Sequence, residues 1–293
     1  MASLRVLSCN AFLIPGWFVN SANASCRDQA ARAGALGTLA EAFDVALLQE
    51  VWGSSNAQLE AGLLQSHTAV DKSWGSTVMD SVWQGLRRFG GLYCSYKAQR
   101  ASLRACKRHT FSESVSKSGK GVQGLLLDVA ADSERKNSEE RAVRNPTEKQ
   151  SDTLSLAIFN THLDPRVQGH RIVPQAAELL EFMETCLREW DTEPSRTVVV
   201  LAGDLNSSRK QCVKLFPGGR DGDGECRDEP TYDPPKNPYA MWLDDRGDLD
   251  HFLVFGEIGG RRFADVQVSD FKVHSDVIVS DHYPITCTLK WGG

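Results

Sequence analysis

Polar residues stand where apolar runs stop in this chain: Asn10, Glu50, His162, Asp204, Asn206, Asp250 and the pair Asp281-His282. The clearest case is Val198-Val199-Val200-Leu201-Ala202-Gly203-Asp204-Leu205-Asn206. A run rich in β-branched residues reads as a buried strand, and it ends by delivering a carboxylate and an amide. Each residue taken alone is also an ordinary turn former or, for His162, a buried structural histidine. As a set they supply what metal-assisted hydrolysis of a phosphodiester requires. Glu50, with Asn10 nearby, offers the oxygen ligands that suit a hard cation such as Mg²⁺, which keeps positions for water and phosphate. Mn²⁺ or Co²⁺ would accept the same donors. A histidine beside a carboxylate can take the proton of an attacking water, while a second donor and the metal face the developing charge. No H-x-x-x-H or C-x-x-C spacing is present, which argues against a zinc hydrolase.

These side chains converge only if strands set them on one rim, and neighbouring strands lie about 5 Å apart. The pattern predicts strands over residues 4–9, 44–49, 91–96, 108–111, 122–129, 154–161, 198–202, 249–255, 264–273, 276–279 and 285–290. Helices are expected over 27–43, 54–65 and 171–190, the last with apolar residues at three- and four-residue steps. Residues 207–247 read as a polar loop. Residues 131–152 carry eleven charged and three apolar residues and read as a solvated insert. Strand pattern resumes directly after it, so one α/β domain of two packed sheets spanning 1–293 is expected.

The chain has 293 residues, 41% of them hydrophobic and 24% charged, with a formal net charge of −5. That charge offers no bulk attraction to nucleic acid, so no nucleic-acid partner is expected. No apolar run is long enough to cross a bilayer, and Arg5 is the only early cation in a start that does not resemble a signal peptide. A cytoplasmic location is expected, with membrane contact only peripheral. Trp17 and Phe18, with Trp74, are the candidates for that contact. Eight cysteines are spread along the chain, and Cys212 with Cys226 is the pair an oxidising compartment would join.

Six blocks, in order, resemble the endonuclease/exonuclease/phosphatase superfamily: Ser8-Cys9-Asn10, Leu48-Gln49-Glu50, Asn160-Thr161-His162-Leu163, Gly203-Asp204-Leu205-Asn206, Leu249-Asp250-His251 and Ser280-Asp281-His282-Tyr283-Pro284. Further stretches are similar to its neutral sphingomyelinase branch. They are Gln49-Glu50-Val51-Trp52, Gly90-Gly91-Leu92-Tyr93, His109-Thr110-Phe111, Lys120-Gly121-Val122, Arg171 with Gln175, and Thr231-Tyr232-Asp233 followed by Asn237-Pro238-Tyr239-Ala240. The resemblance implies a four-layered α/β sandwich of DNase-I-like type, with two mixed sheets flanked by helices. It also implies Mg²⁺-dependent, phospholipase-C-type cleavage of sphingomyelin to ceramide and phosphocholine at a membrane surface. Another phosphodiesterase or phosphatase activity of the superfamily is the alternative.

Carried onto this chain, the resemblance makes Glu50 the metal ligand, with Asn10 supporting metal or phosphate. His282 becomes the general base, oriented by Asp281 and assisted by Asp204. Asn206 holds a phosphate oxygen, and His162 stabilises the phosphorane or protonates the leaving oxygen. Asp250 is an outer carboxylate and Lys120 a phosphate contact. The chain departs from the family at His251, where Tyr is usual, and at Val115, where animal members carry Asp. It also departs at residues 256–262, Gly-rich and charged where secreted bacterial members have an apolar hairpin.

Overall fold

Two strand–helix–strand units form the frame of a computed structural model that describes residues 1–14, 27–52, 55–70, 91–112, 119–129, 153–165, 172–222, 229–240 and 246–292. In the first unit β1 (Ala2–Leu13) runs parallel to β2 (Val45–Val51), joined through α1 (Gln29–Ala40). In the second, β7 (Leu154–His162) runs parallel to β8 (Thr197–Asp204), joined through α3 (Ile172–Glu189). Parallel neighbours need such a crossover because a tight turn cannot return the chain to the same direction. All other pairings in both sheets are antiparallel.

The first sheet has the order β13-β14-β1-β2-β4-β3, with β3 at His67–Ala69, β4 at Tyr93–Lys97, β13 at Val266–Val273 and β14 at Ile285–Trp291. The second has the order β5-β6-β7-β8-β10-β9, with β5 at Ala101–Thr110, β6 at Gly121–Val129, β9 at Gly219–Asp221 and β10 at Asp250–Phe255. A small hairpin, β11 (Glu257–Ile258) with β12 (Arg261–Arg262), stands apart.

Alternation along the central strands explains the layering. Leu4, Val6, Val45 and Leu47 face Leu156, Ile158, Val198 and Val200 across the space between the sheets. The alternate residues Leu7, Cys9, Ala46 and Leu48 instead pack on Ala33, Leu36 and Ala40 of α1 and on Leu59 and Leu63 of α2 (Asn56–Leu63). Phe159, Val199 and Leu201 likewise pack on Ala176, Leu179, Met183 and Leu187 of α3. Each central strand is therefore buried on both faces, and the order helix, sheet, sheet, helix follows. The expected four-layered α/β sandwich is the observed one.

The sheets are also joined by side-chain amides. Gln49 Nε2 donates to Asn160 Oδ1 at 2.8 Å, and Asn160 Nδ2 donates to the Leu48 carbonyl at 2.9 Å. Both residues are fully buried, and each stands beside a site residue, Glu50 or Thr161-His162. Buried amides hydrogen-bonded across two sheets in this way fix one arrangement where apolar contact alone would allow sliding.

Several expectations are corrected. Residues 276–279 are not a strand; Val277 N–H bonds back to the His274 carbonyl at 3.0 Å in a turn. The 207–247 stretch contains α4 (Arg209–Leu215), started by a Ser208/Gln211 capping box, and β9. Seven mostly exposed residues give too little apolar repeat to announce a helix. Strand β3 was not anticipated, and β5 extends well beyond 108–111. The 131–152 insert, Trp17, Phe18, Trp74, Val115, Arg171 and Cys226 lie outside the described residues. Val129 and Leu154, which flank the insert, are paired across β6 and β7, at the opposite end of that hairpin from Gly121 and His162.

Candidate active site

The parallel pairs direct their carboxyl ends the same way, and polar residues sit there. Asn10 and Glu50 stand at the irregular carboxyl end of the first pair, where its register shifts, and His162 and Asp204 close the second. The carboxyl ends of parallel strands are where α/β sheets ordinarily bind ligands. Strand β10 runs antiparallel to β8 in a register that sets Asp250 opposite Asp204, so a third carboxylate-bearing strand begins where the others end. The loop before β14 adds Asp281 and His282.

Local backbone makes this possible. Gly203 has φ +139°, and a Cβ there would lie 2.0 Å from the Thr161 carbonyl oxygen, so only glycine lets β8 approach β7 closely. Glu50 and Asn206 hold φ of +53° and +46°, a conformation uncommon outside glycine that re-aims their side chains at the strand ends.

One wall of the site is acidic. His282 Nδ1 donates to Asp250 Oδ2 at 2.7 Å, and His282 Nε2 lies 3.8 Å from Asp204 Oδ2. Burial pulls the His282 pKa down, but the charges of Asp250 and Asp204, the hydrogen bond to Asp250 and the charge of Asp281 outweigh it, raising it to about 10. Burial lifts Asp204 above the usual carboxylate range, with Asp250 adding to the effect and His282 opposing it. Burial also lifts Asp281, to about 6.

The other wall carries a cation. Lys120 Nζ donates to Glu50 Oε1 at 3.0 Å and lies 2.9 and 2.8 Å from the two ring nitrogens of His162. His162 Nε2 also stands 3.2 Å from Asp204 Oδ2. Burial first, then Lys120 and His282, push the His162 pKa well below 6.5. Asp204 joins the walls, because Asn10 Nδ2 donates to the same Oδ2 at 3.0 Å and Asn206 N–H donates to Oδ1 at 2.9 Å.

The structure thus brings together Asn10, Glu50, Lys120, His162, Asp204, Asn206, Asp250 and His282. It assigns some contacts differently from the sequence reading. The carboxylate on His282 Nδ1 is Asp250, not Asp281, whose Oδ1 accepts from Ser280 Oγ at 3.0 Å. Lys120 rests on Glu50 and His162, and Asn206 Nδ2 is given to the Leu163 carbonyl at 2.8 Å. His251 is fully buried behind the site, with Nε2 2.8 Å from the Ser207 carbonyl. The Cys212 thiol donates to the Ser207 carbonyl at 3.6 Å.

The Thr231–Ala240 stretch supports the acidic wall. Thr231 Oγ1 accepts from the N–H groups of Leu249 and Asp250, at 3.0 and 3.2 Å. The Tyr232 ring stands edge-on to His282 with centroids 5.3 Å apart, and Asn237 Nδ2 donates to the carbonyls of Ser280 and Asp281. Sequence spacing gave no sign of these supports; the quoted Thr-Tyr-Asp and Asn-Pro-Tyr-Ala blocks were the available signal.

Asp204, Asp250 and His282 offer ligand atoms within 4.8 Å of one another, a buried group that could hold a metal ion. The donor set fits a hard divalent cation, since carboxylate oxygens dominate it, and Glu50, whose Oε1 already accepts the Lys120 ammonium on the facing wall, adds a further oxygen donor.

Neither a family model nor a curated protein matches the chain. Solved structures do. An endonuclease/exonuclease/phosphatase from Bacteroides vulgatus aligns over 100% of both chains at 14% identity, with a TM-score of 0.65. The fold is that of the endonuclease/exonuclease/phosphatase proteins. A beta toxin from Staphylococcus aureus shares this fold over 97% of this chain and 99% of its own, at 18% identity and a TM-score of 0.61. So does D. rerio TDP2 in complex with a single-strand DNA product, over 99% and 100%, at 14% and 0.58. In this endonuclease/exonuclease/phosphatase fold the two parallel pairs and β10 place the acids and histidines on one rim.

Proposed function

We propose that this chain is a divalent-metal-dependent phosphodiesterase of phospholipase C type, which hydrolyses sphingomyelin to ceramide and phosphocholine at a membrane surface. The observation that carries the hydrolytic part is the Asp250–His282 pair at 2.7 Å, with the free face of the imidazole toward Asp204. Support for the lipid comes from the Thr231–Ala240 stretch, which resembles a sphingomyelinase segment and is packed directly on His282 and its loop.

In this reading Glu50 and Asn10, with Asp204, would hold Mg²⁺, because Asp250 Oδ2 is committed to His282. When bound, the ion would supply positive charge for the phosphoryl oxygens and would offset the carboxylates that otherwise keep His282 protonated. His282 Nε2 takes a proton from the attacking water, and Asp250 keeps the ring in the tautomer whose Nε2 is open. Lys120 and His162 face the leaving oxygen from the opposite wall, with Lys120 the proton carrier because His162 is held neutral. Asn206 keeps a second amide hydrogen for a phosphate oxygen. The whole chain is read as a single catalytic domain that meets the membrane peripherally from the cytoplasm.

A DNA phosphodiester is the second reading, favoured by the TDP2 structure that holds a single-strand DNA product. The net charge of −5 weighs against it. Purified protein given Mg²⁺ and, in parallel, sphingomyelin vesicles, inositol phosphates and a single-stranded oligonucleotide is expected to release phosphocholine, and EDTA to stop it. Turnover of either other substrate with no phosphocholine would refute the lipid assignment.

A further inference from the structure

The helix α1 buries a guanidinium that the reaction itself does not use. Arg32 is 3% exposed, on an otherwise Ala-rich face. Its Nη1 reaches the carbonyls of Val279 at 3.1 Å and Ala11 at 3.5 Å, its Nη2 that of Phe12 at 3.2 Å, and its Nε that of Arg27 at 3.0 Å. The Tyr239 ring lies beneath it, 4.8 Å from centroid to guanidinium carbon. Removing such a charge from water costs several kcal/mol, on the order that a buried ion demands, so its contacts must return much of that.

What the contacts hold is informative. Phe12 has φ +42°, costly for a bulky residue, and its N–H donates to Asn10 Oδ1 at 3.1 Å. That bond turns Asn10 Nδ2 toward Asp204 Oδ2. On the other side, Val279 directly precedes Ser280, Asp281 and His282. Tyr239 N–H donates to Asn237 Oδ1, and Asn237 in turn holds the carbonyls of Ser280 and Asp281. One side chain therefore reaches the turn that aims Asn10, the loop that carries His282 and the segment that braces that loop.

We infer that Arg32 is a positioning residue for the site, locking the turn after Asn10 and the loop before His282 together. The catalytic consequence rests on the phosphodiesterase reading; the locking does not. Lysine would keep the charge but cannot spread donors over carbonyls in three segments, because an ammonium is a compact point on a flexible stem.

The test is Arg32→Lys, read in two ways. With sphingomyelin and Mg²⁺, kcat should fall about 10- to 100-fold, the usual loss when an outer support of a metal site is removed, while KM stays within about threefold. Without metal or substrate, amide hydrogen exchange should quicken at residues 10–13 and 279–282 and stay unchanged in β6 and β14. A kcat within about twofold of wild type, or exchange raised evenly through both sheets, would overturn the inference. If neither protein cleaves sphingomyelin, the phosphodiesterase reading fails and the exchange pattern still decides the role of Arg32. Should Arg32→Lys not fold, Tyr239→Leu, at a partly exposed residue, takes away the ring beneath the guanidinium. Faster exchange at 279–282 is then expected, and unchanged exchange there would overturn the inference.

Discussion

Two histidines stand on opposite walls of one site, nearly equally buried at 2% and 5% exposure for His162 and His282. Their surroundings drive them apart. Asp250, Asp204 and Asp281 hold the proton on His282, whereas Lys120 joins burial in keeping it off His162. Burial alone would lower both. The contrast teaches that charge placement at the strand ends, rather than depth, sets which imidazole carries a proton. Pairs whose environments separate their pKa values are a common mark of acid–base sites.

The comparison can be broken from either wall. The largest effect is expected from His282→Ala, which should cut kcat on sphingomyelin by about 10³-fold, within the usual range for a positioned base, with near-UV circular dichroism unchanged. Near-wild-type turnover would show that His282 is not the base. Asp250→Asn should cost about 10²-fold by releasing the imidazole, the low end of what a positioned base contributes, and should lower the His282 pKa in an NMR titration. If Asp281→Asn has the larger effect on that pKa, the contact at Nδ1 has been assigned to the wrong carboxylate.

On the other wall, Lys120→Met removes the cation beside Glu50 and His162. The His162 pKa should rise, and activity should fall about 10²-fold, at the low end for a positioned proton-transfer group. Melting in EDTA should drop, and Mg²⁺ should restore more of that loss than it adds to wild type, because the ion offsets the orphaned carboxylate. Equal Mg²⁺ effects on the two proteins would contradict placing the metal at Glu50.

The smallest effect is on stability against pH. The folded chain keeps a proton on His282 that the unfolded chain releases near pH 6.5. That stabilisation is complete below pH 6.5 and is lost as pH rises toward 10. His162 has the opposite sign: its contribution is present above pH 6.5 and lost as pH falls. The melting-temperature gap between wild type and His282→Gln should therefore narrow by a few degrees between pH 6.5 and 10. A constant gap would argue against the raised pKa.

Much of this frame was legible in the sequence because strands buried on both faces write continuous apolar runs. Residues 198–202 and the repeat of α3 are such signals, and the polar residues that end the runs converge as expected. What was not legible depends on register and on single long side chains. Asp250 rather than Asp281 meets His282 because β10 pairs with β8 in a register that sets Asp250 against Asp204. No local pattern encodes that choice. Lys120 stands just before β6, with no spacing relation to Glu50 seventy residues away. Arg32 hides in an Ala-rich helix whose apolar count was met without it. The turn at 276–279 misled through β-branched residues, although Val279 is buried and its carbonyl serves Arg32.

The most direct measurement follows the two imidazoles themselves, by NMR titration of the metal-free chain with His162→Gln and His282→Gln for assignment. The expected result is two curves on opposite sides of pH 6.5, with His282 titrating near 10 and His162 well below 6.5. Two curves that both fall close to 6.5, or that appear in the reverse order, would contradict the opposed walls on which the proposed chemistry depends.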